Sequence, residues 1–111
     1  MDPKHAAELL ARERQRIEAQ LAQLGPDTGD ELSHVDQHPG DEGTELFEQE
    51  RDEGRAEQLR EELAAVERAE ERLMSGTYGL SVDSGQPIPD ERLEAIPTAE
   101  RTVEEERRRH P

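Results

Sequence analysis

The chain contains no cysteine and no tryptophan, and it has one phenylalanine and one tyrosine among its 111 residues. Without cysteine, neither a disulfide bond nor a thiolate metal site can form. Hydrophobic residues make up only 30% of the chain and charged residues 39%, so a compact core of ordinary size cannot be built. Two long helices that meet along a narrow aliphatic seam need much less apolar surface. The composition therefore favours a mainly α-helical chain.

Positive charge is also scarce, because 14 Lys and Arg stand against 29 Asp and Glu, giving a net charge of −15. This balance argues against direct nucleic-acid binding, which needs cations to neutralise phosphates, and against binding to an anionic membrane. The chain has no apolar run of membrane-spanning length and no signal peptide, so we expect a cytoplasmic protein. The acid is concentrated: residues 25–58 carry a charge of −10, whereas residues 1–24 sum to zero.

The first 24 residues predict a helix from about residue 3 to 24. Asp2 is suited to cap it and Pro3 to occupy its first turn, and Gly25-Pro26 ends it. Spacings of three and four residues define an apolar seam with one polar member. Its members are Ala7, Leu10, Arg14, Ile17, Leu21 and Leu24. Residues 25–43 are rich in Gly, Pro and Asp and indicate a loop, in which one short helix could begin at Asp30.

A second helix is predicted from about residue 44 to 75, where Gly76 stops it. Its seam is Ala56, Leu59, Leu63, Val66, Glu70 and Leu73. Folding the two seams antiparallel pairs apolar layers with apolar layers and Arg14 with Glu70, so this charge pair can specify the register. Alternatively, both side chains simply extend to solvent at the edge of the seam. The pattern predicts an antiparallel coiled-coil hairpin over residues 1–75, with its turn at about residues 41–42.

Residues 76–111 follow a different pattern. Residues 77–81 and 86–88 could form two short strands around a turn. A short helix is then predicted from Pro89-Asp90 to before Pro97, followed by a last helix capped by Thr98 and ending in three arginines, which complement the helix dipole. We expect this small module to pack through its few apolar side chains. They are Tyr78, Leu80, Ile88, Leu93, Ile96 and Val103.

Two stretches resemble a known family. Residues 76–99, GTYGLSVDSGQPIPDERLEAIPTA, resemble the C-terminal finger of the DksA/TraR family, in which Gly-x-Tyr-Gly precedes a Cys-x-x-Cys and Ile-Pro precedes Arg-Leu-x-Ala-x-Pro-x-Ala. Residues 35–52, VDQHPGDEGTELFEQERD, resemble the hairpin tip of the YteA-like branch of that family. With the two helical arms, the resemblance extends over nearly the whole chain.

The resemblance places the four zinc-binding cysteines of the family at Ser81, Ser84, Thr102 and Glu105. Hydroxyl groups are poor zinc ligands and one carboxylate alone cannot hold the ion, so we expect a zinc-finger-like module without zinc and no other cofactor. Apolar packing and hydrogen bonds among Ser81, Ser84 and Thr102 would then have to replace the metal. The alternative is that the module is only loosely ordered.

Proteins of this family bind RNA polymerase, and the hairpin enters the secondary channel with an acidic tip. The resemblance therefore implies a transcription regulator, expected to be a monomer and not an enzyme. Aligned on the finger, His38 replaces the first acid of the best-known family tip, Asp41 matches the second and Gly43 replaces an alanine. The expected polymerase-facing residues are Asp36, His38, Asp41, Glu42, Gly43 and Thr44.

Two other functions stay open at this point. The chain could be a diverged coiled-coil interaction protein that does not bind polymerase. It could also be a transcript-cleavage cofactor of the GreA kind, in which Asp41 and Glu42 help to hold a catalytic Mg²⁺. His34, Asp36 and His38 have a spacing that metal ligands use, but the adjacent Pro39 and the loop composition argue against a metal site there.

Overall fold

The computed structural model describes the backbone of residues 1–24 and 42–110 and the side chains of residues 1–24 and 53–110. These residues contain four helices: α1 (Pro3–Gln23), α2 (Glu42–Ser75), α3 (Asp90–Ala95) and α4 (Val103–Arg109). The prediction of a mainly helical chain is confirmed. The predicted loop and turn lie outside the described residues as far as residue 41, together with the short helix. Residues 42 and 43, predicted to belong to the loop, are instead the start of α2. No helix in the described part is long and apolar enough to cross a membrane.

Helix α1 begins as its sequence predicts. Asp2 is the N-cap, and its carboxylate accepts a hydrogen bond from the backbone N–H of His5 at 3.2 Å. Pro3 follows in the first turn, where its missing N–H has no intrahelical partner to lose. The predicted seam is wrong at one position, because Ala6 is buried whereas Ala7 is exposed. The helix presents Ala6, Leu10 and Ile17 as its buried face, a progression of four and seven residues along one stripe.

Helices α1 and α2 pack against each other in antiparallel directions. Their shared core consists of Ile17, Leu59 and Val66, which are fully buried, with Leu21, Leu24 and Leu63 packed around them. The direction follows from two cross-links: Gln20 accepts a hydrogen bond from Arg55, whereas Arg14, nearer the N-terminus, bonds to Glu70. Helix α2 has 34 residues, which corresponds to a length of about 51 Å, so it is much longer than its partner.

The chain after α2 forms a small module with its own core. Gly76 ends α2 with a φ of 84°, a left-handed conformation that glycine adopts without strain. The core consists of Ile88, Leu93 and Ala99, with Met1 and Tyr78 packed against it. The Tyr78 hydroxyl donates to the carbonyl of Pro97 at 2.8 Å, so the polar end of this half-buried ring has a partner.

Several predictions for this module were wrong. Within the described residues there is no β-strand; the two expected strands are reduced to one antiparallel bridge between Leu80 and Pro87. Leu80, Ile96 and Val103 are 39–45% exposed and therefore contribute little to the core. Ala99, in the connection between α3 and α4, instead belongs to the core with Ile88 and Leu93.

The start of the last helix also differs from the prediction. Thr102, not Thr98, is the N-cap of α4, and it forms a capping box with Glu105. The spacing of Thr102 and Glu105 is the Thr-x-x-Glu pattern typical of such a box. Thr98 follows a proline, but the residue three positions after it is Arg101 and not a Glu or Gln, so it cannot form such a box.

Helix α1 is also attached to the C-terminal module. The Met1 side chain is 3% exposed, and the Met1 ammonium group lies 3.3 Å from the Asp90 carboxylate at the start of α3. The His5 ring nitrogen Nε2 lies 2.5 Å from Glu94 Oε2 near the end of α3. The C-terminal module is thus bound to the N-terminal end of α1 as well as to α2.

Candidate functional site

The residues expected at the acidic tip fall at the edge of the described chain. Asp36, His38 and Asp41 lie outside the described residues, whereas Glu42, Gly43 and Thr44 form the first turn of α2. Only the backbone of these last three residues is described. The assignment of the tip as a site therefore stays a prediction from the sequence.

The predicted register pair is brought together. Arg14 Nη2 lies 2.8 Å from Glu70 Oε1, and Arg14 Nε donates to Glu70 Oε2 at 3.3 Å, so the contact is bidentate. Glu18 on the same helix accepts a further hydrogen bond at 3.3 Å. These hydrogen bonds, above all the one to Glu70, raise the pKa of Arg14. Both side chains of the pair are about a third exposed, so the pair lies at the edge of the helix interface rather than inside it.

The four positions aligned with metal ligands also lie together, at the contact between the module's turn and α4. The Glu105 carboxylate accepts hydrogen bonds from the Ser81 hydroxyl at 2.7 Å, from the Ser84 hydroxyl, and from the backbone N–H of Thr102 at 2.9 Å. The hydrogen bonds from Ser84 and Ser81, followed by that from Thr102, lower the pKa of Glu105 to about 2. Glu105 is therefore the common acceptor of the cluster, a role that we did not predict.

The two serine hydroxyls also organise the turn itself. Ser81 Oγ accepts hydrogen bonds from the backbone N–H groups of Asp83 at 3.1 Å and Ser84 at 3.2 Å. Ser84 Oγ accepts from the N–H of Gln86 at 3.2 Å. Because each hydroxyl accepts from the turn and has one proton to donate, that proton is directed to Glu105. Ser81 is 5% exposed, so this part of the network is shielded from water.

These residues do not suit a zinc ion. Zinc takes thiolate, imidazole and carboxylate ligands, and the atoms bound to it lie about 2 Å from the ion and hence roughly 3.3 Å from one another. Here the cluster offers hydroxyls and one carboxylate, and Ser81 Oγ and Glu105 Oε1 are in direct contact at 2.7 Å. Within the described residues, no three His, Cys, Asp or Glu side chains are grouped as metal ligands.

A second charged cluster connects the module to α2, and sequence reasoning missed it. Glu100 Oε2 accepts from Arg68 Nε at 2.9 Å and from Arg72 Nη1 at 3.3 Å, while Arg101 Nη1 lies 3.8 Å from Glu100 Oε1. Arg101 in turn donates to Asp83 at 2.7 Å. Partial burial alone would raise the pKa of Glu100, but the hydrogen bond from Arg68 and the charges of the three arginines outweigh it and lower that pKa. Arg68 and Arg72 are 32 and 28 residues from Glu100 in the chain, so no local pattern could have indicated these two contacts.

This arrangement of helices matches a solved structure. The fold is similar to that of the transcription factor DksA2 from Pseudomonas aeruginosa, with a TM-score of 0.80 and 25% sequence identity, over 96% of this chain and 81% of that one. The chain has a DksA-like fold. That structural neighbour is a transcription factor.

Two proteins of Bacillus subtilis are similar in sequence. The uncharacterised protein YteA is 48% identical over 73 residues, which are 66% of this chain and 30% of YteA. General stress protein 16O is 41% identical over 96 residues, which are 86% of this chain and 56% of that protein. The chain thus spans less than two thirds of these relatives' length. No family model matches the sequence.

Proposed function

We propose that this chain belongs to the DksA/TraR family and binds RNA polymerase as a transcription regulator. The proposal rests mainly on one observation, the DksA-like fold, which extends over 96% of the chain and is shared with a transcription factor. Sequence similarity to YteA, at 48% identity, supports the assignment to the YteA-like branch. The acidic end of the two-helix body would enter the secondary channel of the polymerase.

The distribution of charge agrees with such a partner. Residues 25–58 carry a charge of −10, and α2 extends beyond the end of α1 into this acidic region. A narrow helical projection with a negative end is attracted by a channel lined with Lys and Arg. Carboxylates at the end of the projection could also approach a Mg²⁺ ion, whose preferred ligands are oxygen atoms. Asp41 is the residue that we propose to act at the tip, with Asp36 as the nearest additional acid.

The decisive test is binding to core RNA polymerase. We expect the chain to co-purify with the polymerase at low salt, to be displaced by a known secondary-channel factor, and to crosslink to the channel from a photoreactive side chain at position 41. Absence of binding, together with self-association in analytical ultracentrifugation, would instead show a diverged interaction protein. If the chain stimulated transcript cleavage in backtracked polymerase complexes, it would be a transcript-cleavage cofactor and not a transcription regulator.

A substitution at the tip tests the proposed residue. Asp41→Asn removes one charge without changing shape, and we expect it to abolish the effect on transcription while helicity and melting temperature stay unchanged. Asp27→Asn is the matched control, because it makes the same change within the same acidic segment away from the aligned tip. Equal loss of activity in both variants would mean that total charge, rather than Asp41, carries the effect.

A further inference from the structure

The contact between the module's turn and α4 is arranged around one carboxylate. The turn contributes the hydroxyls of Ser81 and Ser84, and the segment before α4 contributes the N–H of Thr102; all three donate to Glu105. Ser81 and Glu105 are 24 residues apart in sequence. The Leu80–Pro87 bridge lies within the turn, and the turn and the segment before α4 share the backbone hydrogen bond from Val82 to Glu100 at 2.9 Å. The Glu105 carboxylate adds a side-chain connection between these two segments.

We propose that the Glu105 carboxylate replaces a structural metal ion as the cross-link that holds α4 to the turn of the C-terminal module. A structural zinc ion stabilises a small module by binding ligands from two segments at one point. A carboxylate has about four acceptor sites and can bind several donors in the same way. Three of those sites are occupied by donors from the two segments that a metal would have connected.

The polarity of the surrounding atoms supports this role. Ser81 and Ser84 accept hydrogen bonds from three backbone N–H groups of the turn, those of Asp83, Ser84 and Gln86. Each hydroxyl is thereby oriented to donate its proton outward, towards the carboxylate. Thr102 Oγ1 accepts from the N–H of Glu105 at 3.2 Å, which fixes the first turn of α4 while the Glu105 side chain reaches back. A cation placed at this point would displace donors that already have an acceptor.

One consequence distinguishes this module from a metal-dependent one. Its folding does not depend on divalent metals, and without cysteine it has no thiol that an oxidant could modify. Addition of zinc or of an excess of chelator should leave the melting temperature of the full chain unchanged. A rise of the melting temperature with zinc, or a fall with chelator, would overturn the proposal.

Substitution of Glu105 provides the direct test, with Glu104 as its matched control. Both residues lie in the first turn of α4, but Glu104 is exposed and its side chain has no hydrogen bond or ion pair among the described residues. We expect Glu105→Ala to accelerate amide hydrogen exchange at Asp83 and Ser84 by about tenfold, because their acceptor Ser81 loses its own partner. Glu104→Ala should leave exchange at those two amides unchanged, because it also removes a negative charge from the first turn of α4 but breaks no hydrogen bond to the turn.

The outcome at the distant turn decides the interpretation. If Glu105→Ala and Glu104→Ala alter exchange in α4 alone, Glu105 is merely a helix-capping residue and the proposal fails. Glu105→Gln should fall between wild type and Glu105→Ala, because its amide retains one acceptor oxygen. This experiment measures folding only, so its result is independent of whether the chain binds RNA polymerase.

A converse experiment tests whether the cluster lies where a metal could be held. In the quadruple variant S81C/S84C/T102C/E105C, four thiols replace the present groups at the four positions. We expect this variant to bind Co²⁺ under reducing conditions with the visible absorption of a tetrahedral thiolate complex, and to become dependent on metal for folding. Wild type should show neither property. Failure of the variant to bind Co²⁺ would show that these positions do not surround a metal-sized space.

Discussion

Glu100→Gln should weaken the attachment of the C-terminal module to α2 more than the same replacement of any exposed carboxylate. Glu100 is 20% exposed in its side chain, and Arg72 is 14% exposed. Two nitrogen atoms of Arg72, Nε and Nη2, are buried without a hydrogen-bond partner among the described residues. The carboxylate of Glu100 is therefore the main compensation for a largely buried guanidinium group.

The expected magnitude follows from the exposure of each partner. Arg68 is 54% exposed, so its ion pair with Glu100 contributes no more than about 1 kcal/mol. Loss of the carboxylate beside the buried Arg72 costs about 1–2 kcal/mol, because one hydrogen bond to Gln oxygen can remain. With the losses at Arg68 and Arg72 combined, Glu100→Gln should lower the free energy of unfolding by about 2 kcal/mol. For a chain of this length, that change lowers the melting temperature by about 8 °C.

Thermal and urea unfolding measure this change, with Glu104→Gln as the control for the loss of one negative charge. A double-mutant cycle with Arg72→Leu should give a coupling energy of about 1–2 kcal/mol, whereas a cycle with Arg68→Ala should give less than about 1 kcal/mol. If Glu100→Gln differs from Glu104→Gln by less than about 0.5 kcal/mol, the carboxylate does not compensate Arg72 and the reasoning is refuted.

Two further predictions concern the backbone and pH. A Cβ atom added at Gly54 or Gly76 would meet nothing within 4 Å, but of these two residues only Gly76 has a left-handed φ, of 84°. In urea unfolding, Gly54→Ala should therefore stabilise the chain by about 1 kcal/mol, because alanine favours the helix. Gly76→Ala should destabilise it by about 1 kcal/mol, because alanine is strained at this φ. Changes of the same sign would refute this backbone argument. The pKa of Glu100 is lower in the folded chain than its ordinary value of about 4.5. As the pH falls, Glu100 is therefore protonated in the unfolded chain before it is protonated in the folded chain. The stability that Glu100 contributes is complete above pH 4.5 and is lost progressively below it. Urea unfolding of wild type and Glu100→Gln from pH 7 to pH 3 should show the difference between them shrinking towards acid pH, and a difference that grows would contradict the assigned direction.

The sequence by itself determined the helical part of this protein. The low content of apolar residues and their three-and-four spacing require long helices that share a narrow seam, because no other arrangement buries so few side chains effectively. The bounds of α1 were predictable from Asp2 and Pro3 at its start and from the glycine and proline that follow it, since these residues act on the backbone locally. The Gly76 stop of α2 was predictable for the same reason.

The errors lie where short-range patterns compete with tertiary contacts. Residues 77–88 have the composition of a small hairpin but form only the Leu80–Pro87 bridge, because packing around Ile88 and Leu93 and the hydrogen bonds of the serines fix the turn instead. The choice of Ala6 over Ala7 for the interface depends on how α1 is rotated against its neighbours, which spacing alone leaves undetermined.

Only the tertiary structure decided how the two ends of the module are joined. Sequence comparison aligned Ser81, Ser84, Thr102 and Glu105 with metal ligands, but it could not show that one carboxylate accepts from the other three. Nor could it pair Glu100 with Arg68 and Arg72, which lie 32 and 28 residues away. Helix-forming patterns are local and can be read along the chain, whereas a hydrogen-bonded cluster depends on distances between segments that are set only when the whole chain packs.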